Sequence, residues 1–204
     1  MDIKNRIVKQ AGNLYYQYGI KNTSMDDLAS SLGISKRTIY ENFKDKEEIL
    51  LYYLKQLRDE RNTAFQEFLQ ESDNIIEFFI RIIELHQSIP YANVKFYEDI
   101  YKYYPKIYAL ILEDNKQNNI FLKEFLQEGI TQGFIRNDLN VDVTAFLVEE
   151  STFVYIRASY LEKPPFSFPE LFFSMMTSFL RGISTDKGIK IMDDYLKKIN
   201  KDKN

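Results

Sequence analysis

The chain has 204 residues, of which 45% are hydrophobic and 28% are charged, a balance typical of globular domains. It has no cysteine and one histidine, His86, which excludes disulfide frameworks, thiolate metal sites and any site that needs several imidazoles. The net charge of −3 argues against a uniformly basic nucleic-acid binder.

The first predicted element is a helix over residues 2–18. Apolar residues recur along one face of it at helical spacing, and they are Ile3, Ile7, Ala11, Leu14 and Tyr18. Gly19 follows as a suitable C-terminal stop. We expect this helix to pack across the segment that comes next and to complete its core.

Residues 23–43 predict two short amphipathic helices joined at a glycine. Ser24 can cap the first helix, and Asp27 three residues later completes a capping box. Gly33 supplies the left-handed residue that ends a helix, and Ser35 can cap the second one. Two helices joined by a short glycine-containing turn form a helix-turn-helix.

The second of these helices is basic where it begins. Lys36 and Arg37 lie in its first turn, where the helix dipole disfavours cations. An anionic partner accounts for them, because the first residues of this helix contact base edges in the motif. Ser35 and Thr38 beside them are also hydrogen-bond donors. The alternative interpretation is a solvated pair of surface charges.

The first 54 residues also contain an ordered series of short motifs. They are Thr23-Ser24, Asp27-Leu28-Ala29, Gly33-Ile34-Ser35-Lys36-Arg37-Thr38-Ile39-Tyr40, Phe43 and Lys46-Glu47-Glu48-Ile49-Leu50. This series resembles the TetR family of bacterial transcriptional regulators. Asn42 departs from the family, which often has His or Tyr there, although an asparagine can still donate to a phosphate. The DNA-binding residues implied by the resemblance and the helix reading are Thr23, Ser24, Ser35, Lys36, Arg37, Thr38, Tyr40, Asn42 and Lys46.

The rest of the chain predicts further helices, over residues 45–70, 74–88, 92–104, 105–133, 143–161, 169–183 and from 186 onward. The helix over 45–70 contains no Gly or Pro, so we expect it to run unbroken from the N-terminal domain into the C-terminal domain. The expected fold is all-α. An N-terminal three-helix helix-turn-helix DNA-binding domain over 1–61 would precede a C-terminal helical ligand-binding and dimerisation domain over 62–204.

Aromatic residues are concentrated in the predicted body. Of the 31 Phe and Tyr residues, 24 follow residue 61, and small-molecule pockets are mostly apolar and aromatic. The resemblance implies a ligand cavity among these helices, and ordinary core packing is the alternative for each ring. The candidate ligand-binding residues are Phe96, Tyr97, Tyr101, Tyr104, Phe121, Phe125, Glu150 and Phe153.

The helices predicted over 143–161 and 169–183 are strongly apolar for a monomer's surface. The resemblance implies that such helices from two subunits form a four-helix interface, and a monomeric core is the alternative. The candidate interface residues are Leu147, Val154, Leu171, Phe172, Met175, Met176 and Phe179.

Charge is distributed unevenly between the two predicted domains. Residues 1–46 carry a net charge of +3 and the remainder carries −6, which suits a protein that presents one end to phosphate. The N-terminus lacks the apolar core of a signal peptide, and no apolar run has the length of a membrane span. We therefore expect a cytoplasmic protein with no membrane contact.

The predicted function is a ligand-responsive homodimeric repressor that binds a near-palindromic double-stranded DNA operator and a small apolar or aromatic effector. The alternative is a helix-turn-helix regulator controlled by a protein partner, or an activator. An enzyme is not expected: a di-metal carboxylate site needs Glu-x-x-His units, and Ile83 stands three residues before His86. The sequence also has no glycine-rich phosphate loop, so no catalytic site, metal or cofactor is predicted.

Overall fold

The structure is a computed structural model that describes residues 2–88, 94–158 and 166–202. Within these ranges the chain forms ten α-helices and no β-strand beyond a single isolated bridge. The helices are α1 (Ile3–Tyr18), α2 (Met25–Leu32), α3 (Lys36–Tyr40), α4 (Lys46–Glu71), α5 (Ile75–Ser88), α6 (Val94–Tyr103), α7 (Pro105–Thr131), α8 (Val141–Ala158), α9 (Phe168–Ile183) and α10 (Asp186–Asp202). None of the described helices is long and apolar enough to cross a membrane.

The all-α prediction is confirmed, and the described helix ends lie close to the predicted ones. The long helix without Gly or Pro forms α4, whose 26 residues are continuous. Pro90, Pro164 and Pro165, which can each end a helix, lie outside the described residues. The last helix continues to Asp202.

The described residues divide into two compact units, and the first comprises Met1–Ala64 together with Pro90–Leu112. Within it α1 packs on α2 and on α6, and α2 packs on α3. The core is formed by buried side chains from five helices, and they include Ile7, Val8, Ala11, Tyr15, Leu28, Ile39, Ile49, Leu50, Phe96 and Ile100. Burial of an aliphatic side chain of this size stabilises by roughly 1.5–3 kcal/mol, so α1 and α6 hold the shorter helices in place.

The second unit comprises Phe65–Ile89 and Glu113–Asn204. Its core is aromatic and aliphatic, and its buried members include Ile76, Phe78, Phe79, Phe125, Leu126, Ala145, Leu180, Ile183 and Met192. The isolated bridge pairs Ile135 with Ser184, and it ties the α7–α8 loop to the α9–α10 connection. The two units do not follow the continuous division predicted at residue 61, because α6 and the start of α7 group with the N-terminal helices.

Candidate nucleic-acid interface

The start and end of α2 are set by local side-chain and backbone chemistry. The Ser24 hydroxyl accepts the Asp27 N–H at 3.0 Å, and the Asp27 carboxylate accepts the Ser24 N–H at 2.8 Å. Hydrogen bonds from the Ser24 hydroxyl and backbone lower the pKa of Asp27. Gly33 ends the helix at φ 64° and ψ 34°, a left-handed conformation that favours glycine. The predicted capping box and glycine stop are confirmed.

The next helix, α3, is short and stands on two buried anchors. Ser35 caps it by accepting the Thr38 N–H at 3.0 Å, and the two hydroxyl oxygens lie 2.9 Å apart. Ile39 and Phe43 are buried in the core of the first unit, and the Phe43 ring meets Tyr52 edge to face at 5.6 Å. This anchoring holds the polar beginning of α3 outward, where Ser35 is exposed.

The two cations of α3 are paired with carboxylates at the surface. Lys36 Nζ lies 2.8 Å from Asp26 Oδ2, and the hydrogen bond between them raises the pKa of Lys36. Arg37 Nε lies 2.9 Å from Glu41 Oε1, and its side chain is 87% exposed. Exposed pairs of this kind contribute only about 0–1 kcal/mol. A phosphate or a base can therefore replace either carboxylate at little cost.

Three of the predicted DNA contacts, Thr23, Asn42 and Lys46, donate to backbone carbonyl oxygens of the protein itself. Thr23 is only 2% exposed and its hydroxyl donates to the Gly19 carbonyl at 2.9 Å, which disagrees with a side-chain contact to DNA. Its bonding instead stabilises the α1–α2 turn. Asn42 Nδ2 donates to the Thr38 carbonyl at 2.8 Å and so closes the end of α3. Tyr40 is half exposed at the surface, as a phosphate contact requires.

Lys46 is the third residue with internal partners. Its Nζ donates to the carbonyl oxygens of Ile20 and Thr23 at 2.9 and 2.8 Å. Burial lowers the pKa of this ammonium, while Asp99 and Asp27 act in the opposite direction. Lys46 therefore ties the start of α4 to the α1–α2 turn, and its predicted phosphate contact stays a prediction.

The sequence-based prediction missed the residues of α6 that join this unit. Asp99 accepts the Lys21 N–H at 2.7 Å, and Lys21 Nζ donates to the Tyr103 hydroxyl at 2.9 Å. The pairs are separated by 78 and 82 positions, so no local periodicity indicates them.

Comparisons with known proteins agree with this geometry. A sequence model described as "Bacterial regulatory proteins, tetR family" matches residues 7–53, which contain all nine predicted DNA contacts. The "HTH-type transcriptional repressor KstR2" of Mycolicibacterium smegmatis is 25% identical over 193 residues, covering 92% of this chain and 93% of that protein. The N-terminal segment of this chain therefore matches the TetR family model, and the chain is similar to TetR-type regulators over most of its length. It is a DNA-binding transcriptional regulator, and the predicted recognition is confirmed.

Solved structures of other regulators share the fold of this protein. A TetR-family regulator from Agrobacterium tumefaciens superposes with a TM-score of 0.75 at 15% identity, covering 89% of this chain and 97% of that one. A regulator from Saccharomonospora viridis, solved in complex with choline, superposes with a TM-score of 0.71 at 23% identity and with the same coverages. The likeness covers most of this chain and shows that its described residues share the all-α fold of these regulators.

The structure distributes the predicted ligand residues of this regulator over both units. Phe96, Tyr97, Tyr101 and Tyr104 belong to the first unit. Phe96 is buried in its core, and Tyr101 is largely exposed. The remaining candidates belong to the second unit, and they are Phe121, Phe125, Glu150 and Phe153. Phe125 packs on Phe79 at 4.7 Å and on Phe78 at 4.8 Å, and the side chain of Phe153 lies outside the described residues.

The predicted dimer residues also separate into groups. Phe172 and Met176 are each 4% exposed within the subunit, because α9 turns this face toward its own core, and this burial disagrees with their role as interface residues. Leu147 on α8 is 53% exposed, with Val143 and Phe146 exposed beside it. Leu171, Met175 and Phe179 are half-buried, and the side chain of Val154 lies outside the described residues.

Proposed function

We propose that this TetR-family regulator is a ligand-responsive homodimeric repressor of a near-palindromic operator. The observation that carries the proposal is the exposed start of α3, where Ser35, Lys36 and Arg37 stand on a buried base of Ile39 and Phe43. The relative named as a repressor supports the direction of regulation. The site of action would be the cytoplasm, where the operator is accessible.

In this proposal α3 enters the major groove, and some of its residues contact bases while others contact phosphates. Arg37 is the most exposed cation of α3, and arginine suits the two acceptors of guanine. Ser35 and Lys36 are placed two positions and one position before it, respectively, where the phosphate backbone borders the groove. Ser24 at the start of α2 and Tyr40 at the end of α3 would contact neighbouring phosphates. The backbone contacts fix the register, and Arg37 supplies the discrimination.

We propose that dimerisation uses the exposed apolar face of α8. Val143, Phe146 and Leu147 lie at positions i, i+3 and i+4 and are all exposed in the subunit, so one helix face carries them. The half-buried Leu171 and Met175 of α9 would extend this face. A twofold dimer would place two α3 helices in successive major grooves, about 34–36 Å apart.

The effector site is proposed for the second unit, around Phe121 and Phe125. Rings of Phe65, Phe78, Phe121 and Phe125 lie with their centroids 4.8–6.3 Å from their neighbours, and Phe121 is half-buried. Such a cluster favours a small apolar or aromatic molecule, with Glu150 on α8 as a polar anchor. The effector would bind a conformation that does not fit the operator and so shift the population off DNA.

The test is selection of bound sites from random duplex DNA by the full-length protein. We expect two inverted half-sites whose centres are separated by about 10–10.5 base pairs or a multiple of that spacing. Compounds that raise the melting temperature are then added to the protein–operator complex. A selected site without twofold symmetry would contradict the dimer, and stabilising compounds that all leave DNA affinity unchanged would contradict the effector.

A further inference from the structure

The α1–α2 turn, residues 19–23, is held by side chains from two other helices. Asp99 of α6 is only 9% exposed and accepts the Lys21 N–H at 2.7 Å. Lys46 of α4 donates to two carbonyl oxygens of the same turn, at 2.9 and 2.8 Å. The backbone of this turn is therefore bonded from both sides by groups of opposite charge, and charge-assisted hydrogen bonds are about twice as strong as neutral ones.

The backbone of the turn and α6 approach each other closely. Gly19 has φ 87°, and a Cβ placed there would lie 3.1 Å from Asp99 Oδ2 and 3.1 Å from Lys95 Cβ. The Lys21 side chain reaches along α6 as well. Its Nζ donates to the Tyr103 hydroxyl at 2.9 Å and lies 4.7 Å from the centre of that ring. Side chains one helical turn apart on α6 thus hold both the backbone and the side chain of Lys21.

An apolar contact beside the polar ones fixes α6 against α1. The buried Phe96 ring meets Tyr16 edge to face at 4.9 Å, and Tyr16 meets Tyr53 of α4 at 5.6 Å. Edge-to-face pairs add about 0.5–1.5 kcal/mol beyond their burial. The contact with α6 is therefore part of the core of the first unit, and the polar bonds of Asp99 have a fixed geometry.

We propose that Asp99 and Tyr103 are positioning residues for DNA binding, which fix the α1–α2 turn and thereby the helix-turn-helix. The turn leads directly into Ser24, the cap of α2, so its conformation sets where α2 and the attached α3 point. Neither residue lies within the family-matched segment 7–53. A carboxylate is repelled by phosphate, so Asp99 supports DNA binding without contacting DNA. This inference rests on the operator binding described above.

The experiment compares operator affinity of full-length Asp99→Ala with that of the matched variant Glu98→Ala. Glu98 precedes Asp99 on α6 and forms an ion pair with Lys102 at 3.8 Å, within its own helix. In Asp99→Ala a smaller fraction of the molecules would have the α1–α2 turn in the conformation that binds DNA. We therefore expect its operator affinity to fall about tenfold. Glu98→Ala should bind like wild type. The dependence of affinity on salt should keep its slope in Asp99→Ala, because no phosphate contact is lost.

Two milder variants keep the test valid if Asp99→Ala folds poorly. Asp99→Asn retains an acceptor oxygen for the Lys21 N–H and should recover most of the affinity. Tyr103→Phe removes one exposed hydroxyl and should lose affinity by about twofold to threefold. Hydrogen exchange of the Lys21 amide should accelerate in Asp99→Ala and stay slow in Glu98→Ala.

The outcomes separate positioning from mere stability. The proposal is overturned if Asp99→Ala and Tyr103→Phe are less stable but bind the operator as wild type does, at a temperature where all are folded. It is also overturned if either variant binds the operator more tightly than wild type. The hydrogen bonds of Asp99 and Tyr103 to Lys21 would then hold the helix-turn-helix in a conformation that disfavours DNA binding. A wild-type protein that selects no DNA would instead contradict operator binding itself.

Discussion

The helix pairs α2–α3 and α8–α9 can both be recognised in the sequence, but their side chains differ in how far along the chain their partners lie. In α2–α3 the helix ends are set by Ser24, Ser35 and Gly33, whose hydrogen-bond partners lie only a few residues away in the chain. The predicted ends of these helices match the structure. In α8–α9 the apolar residues can face either their own subunit or a partner. The structure turns Phe172 inward and leaves Leu147 outward. A local device can be predicted from sequence, whereas the choice between two apolar surroundings needs the tertiary fold.

The largest expected effect comes from a charge placed on the inward face of α9. Phe172→Asp buries an uncompensated carboxylate and should cost at least about 3 kcal/mol of the free energy of unfolding. Urea unfolding at a fixed protomer concentration measures this loss. A variant that remains as stable as wild type would show that this face of α9 is exposed to solvent and not buried in the subunit.

The matched change on the outward face should affect assembly instead of folding. Leu147→Asp changes a side chain that is exposed in the subunit, so the free energy of unfolding of the isolated subunit should change by less than about 0.5 kcal/mol. The dimer should dissociate at a concentration about tenfold higher. Sedimentation over a dilution series measures this shift, and an unchanged dimer would contradict the proposed α8 interface.

The next effect tests the division of roles in α3. Arg37→Ala should cost about 1–3 kcal/mol of operator binding and relax the preference at one base-pair position. Arg81→Ala is the control, because Arg81 also pairs with a carboxylate, Glu71, at 2.7 Å, but lies in the second unit. Site selection with both variants checks the result. A loss in Arg37→Ala that is equal for all sequences would assign this side chain to phosphate.

Lys46 should give a smaller effect of a different kind. Lys46→Ala should weaken binding to all sequences alike and reduce the salt slope by about one. It should also lower the melting temperature, because two turn carbonyls lose their donor. Titrations at several salt concentrations separate these effects. If stability falls while the slope is unchanged, Lys46 acts only as a tie to the turn.

The smallest expected effects concern the two capping boxes, one in each helix pair. Ser24→Ala and Ser167→Ala should each cost about 0.5–2 kcal/mol. Hydrogen bonds from these serines lower the pKa of Asp27 and of Glu170. A lowered pKa in the folded state stabilises above the unfolded value, near pH 4, and this contribution is lost as the pH falls.

The pH dependence supplies the measurement for these caps. We expect the melting temperatures of Asp27→Asn and Glu170→Gln to differ from wild type at pH 7 and to approach it below pH 4. Differences that stay constant over this range would mean that the carboxylates do not cap as charged groups. The comparison of both boxes shows whether equal local chemistry stabilises equally in the two units.

Local chemistry allowed much of the fold to be predicted. The helical spacing of apolar residues indicated the helices, and short-range signals such as Gly33 and the Ser24–Asp27 pair indicated their ends. The exposed cations of α3 could also be predicted, because a cation at a helix start has a local electrostatic cost. The partners of Lys46 and the burial of Thr23 could not, because they depend on the path of the α1–α2 turn.

The sequence by itself determined the helix-turn-helix, its caps and the family, because these depend on residues within a few positions of one another. Only the tertiary structure decided that Asp99 reaches Lys21 across 78 positions and that Phe172 belongs to its own subunit. Helical periodicity states which face of a helix is apolar, but it does not state what covers that face. That choice is made by the packing of helices distant in the chain, where burial of each apolar face competes with every other.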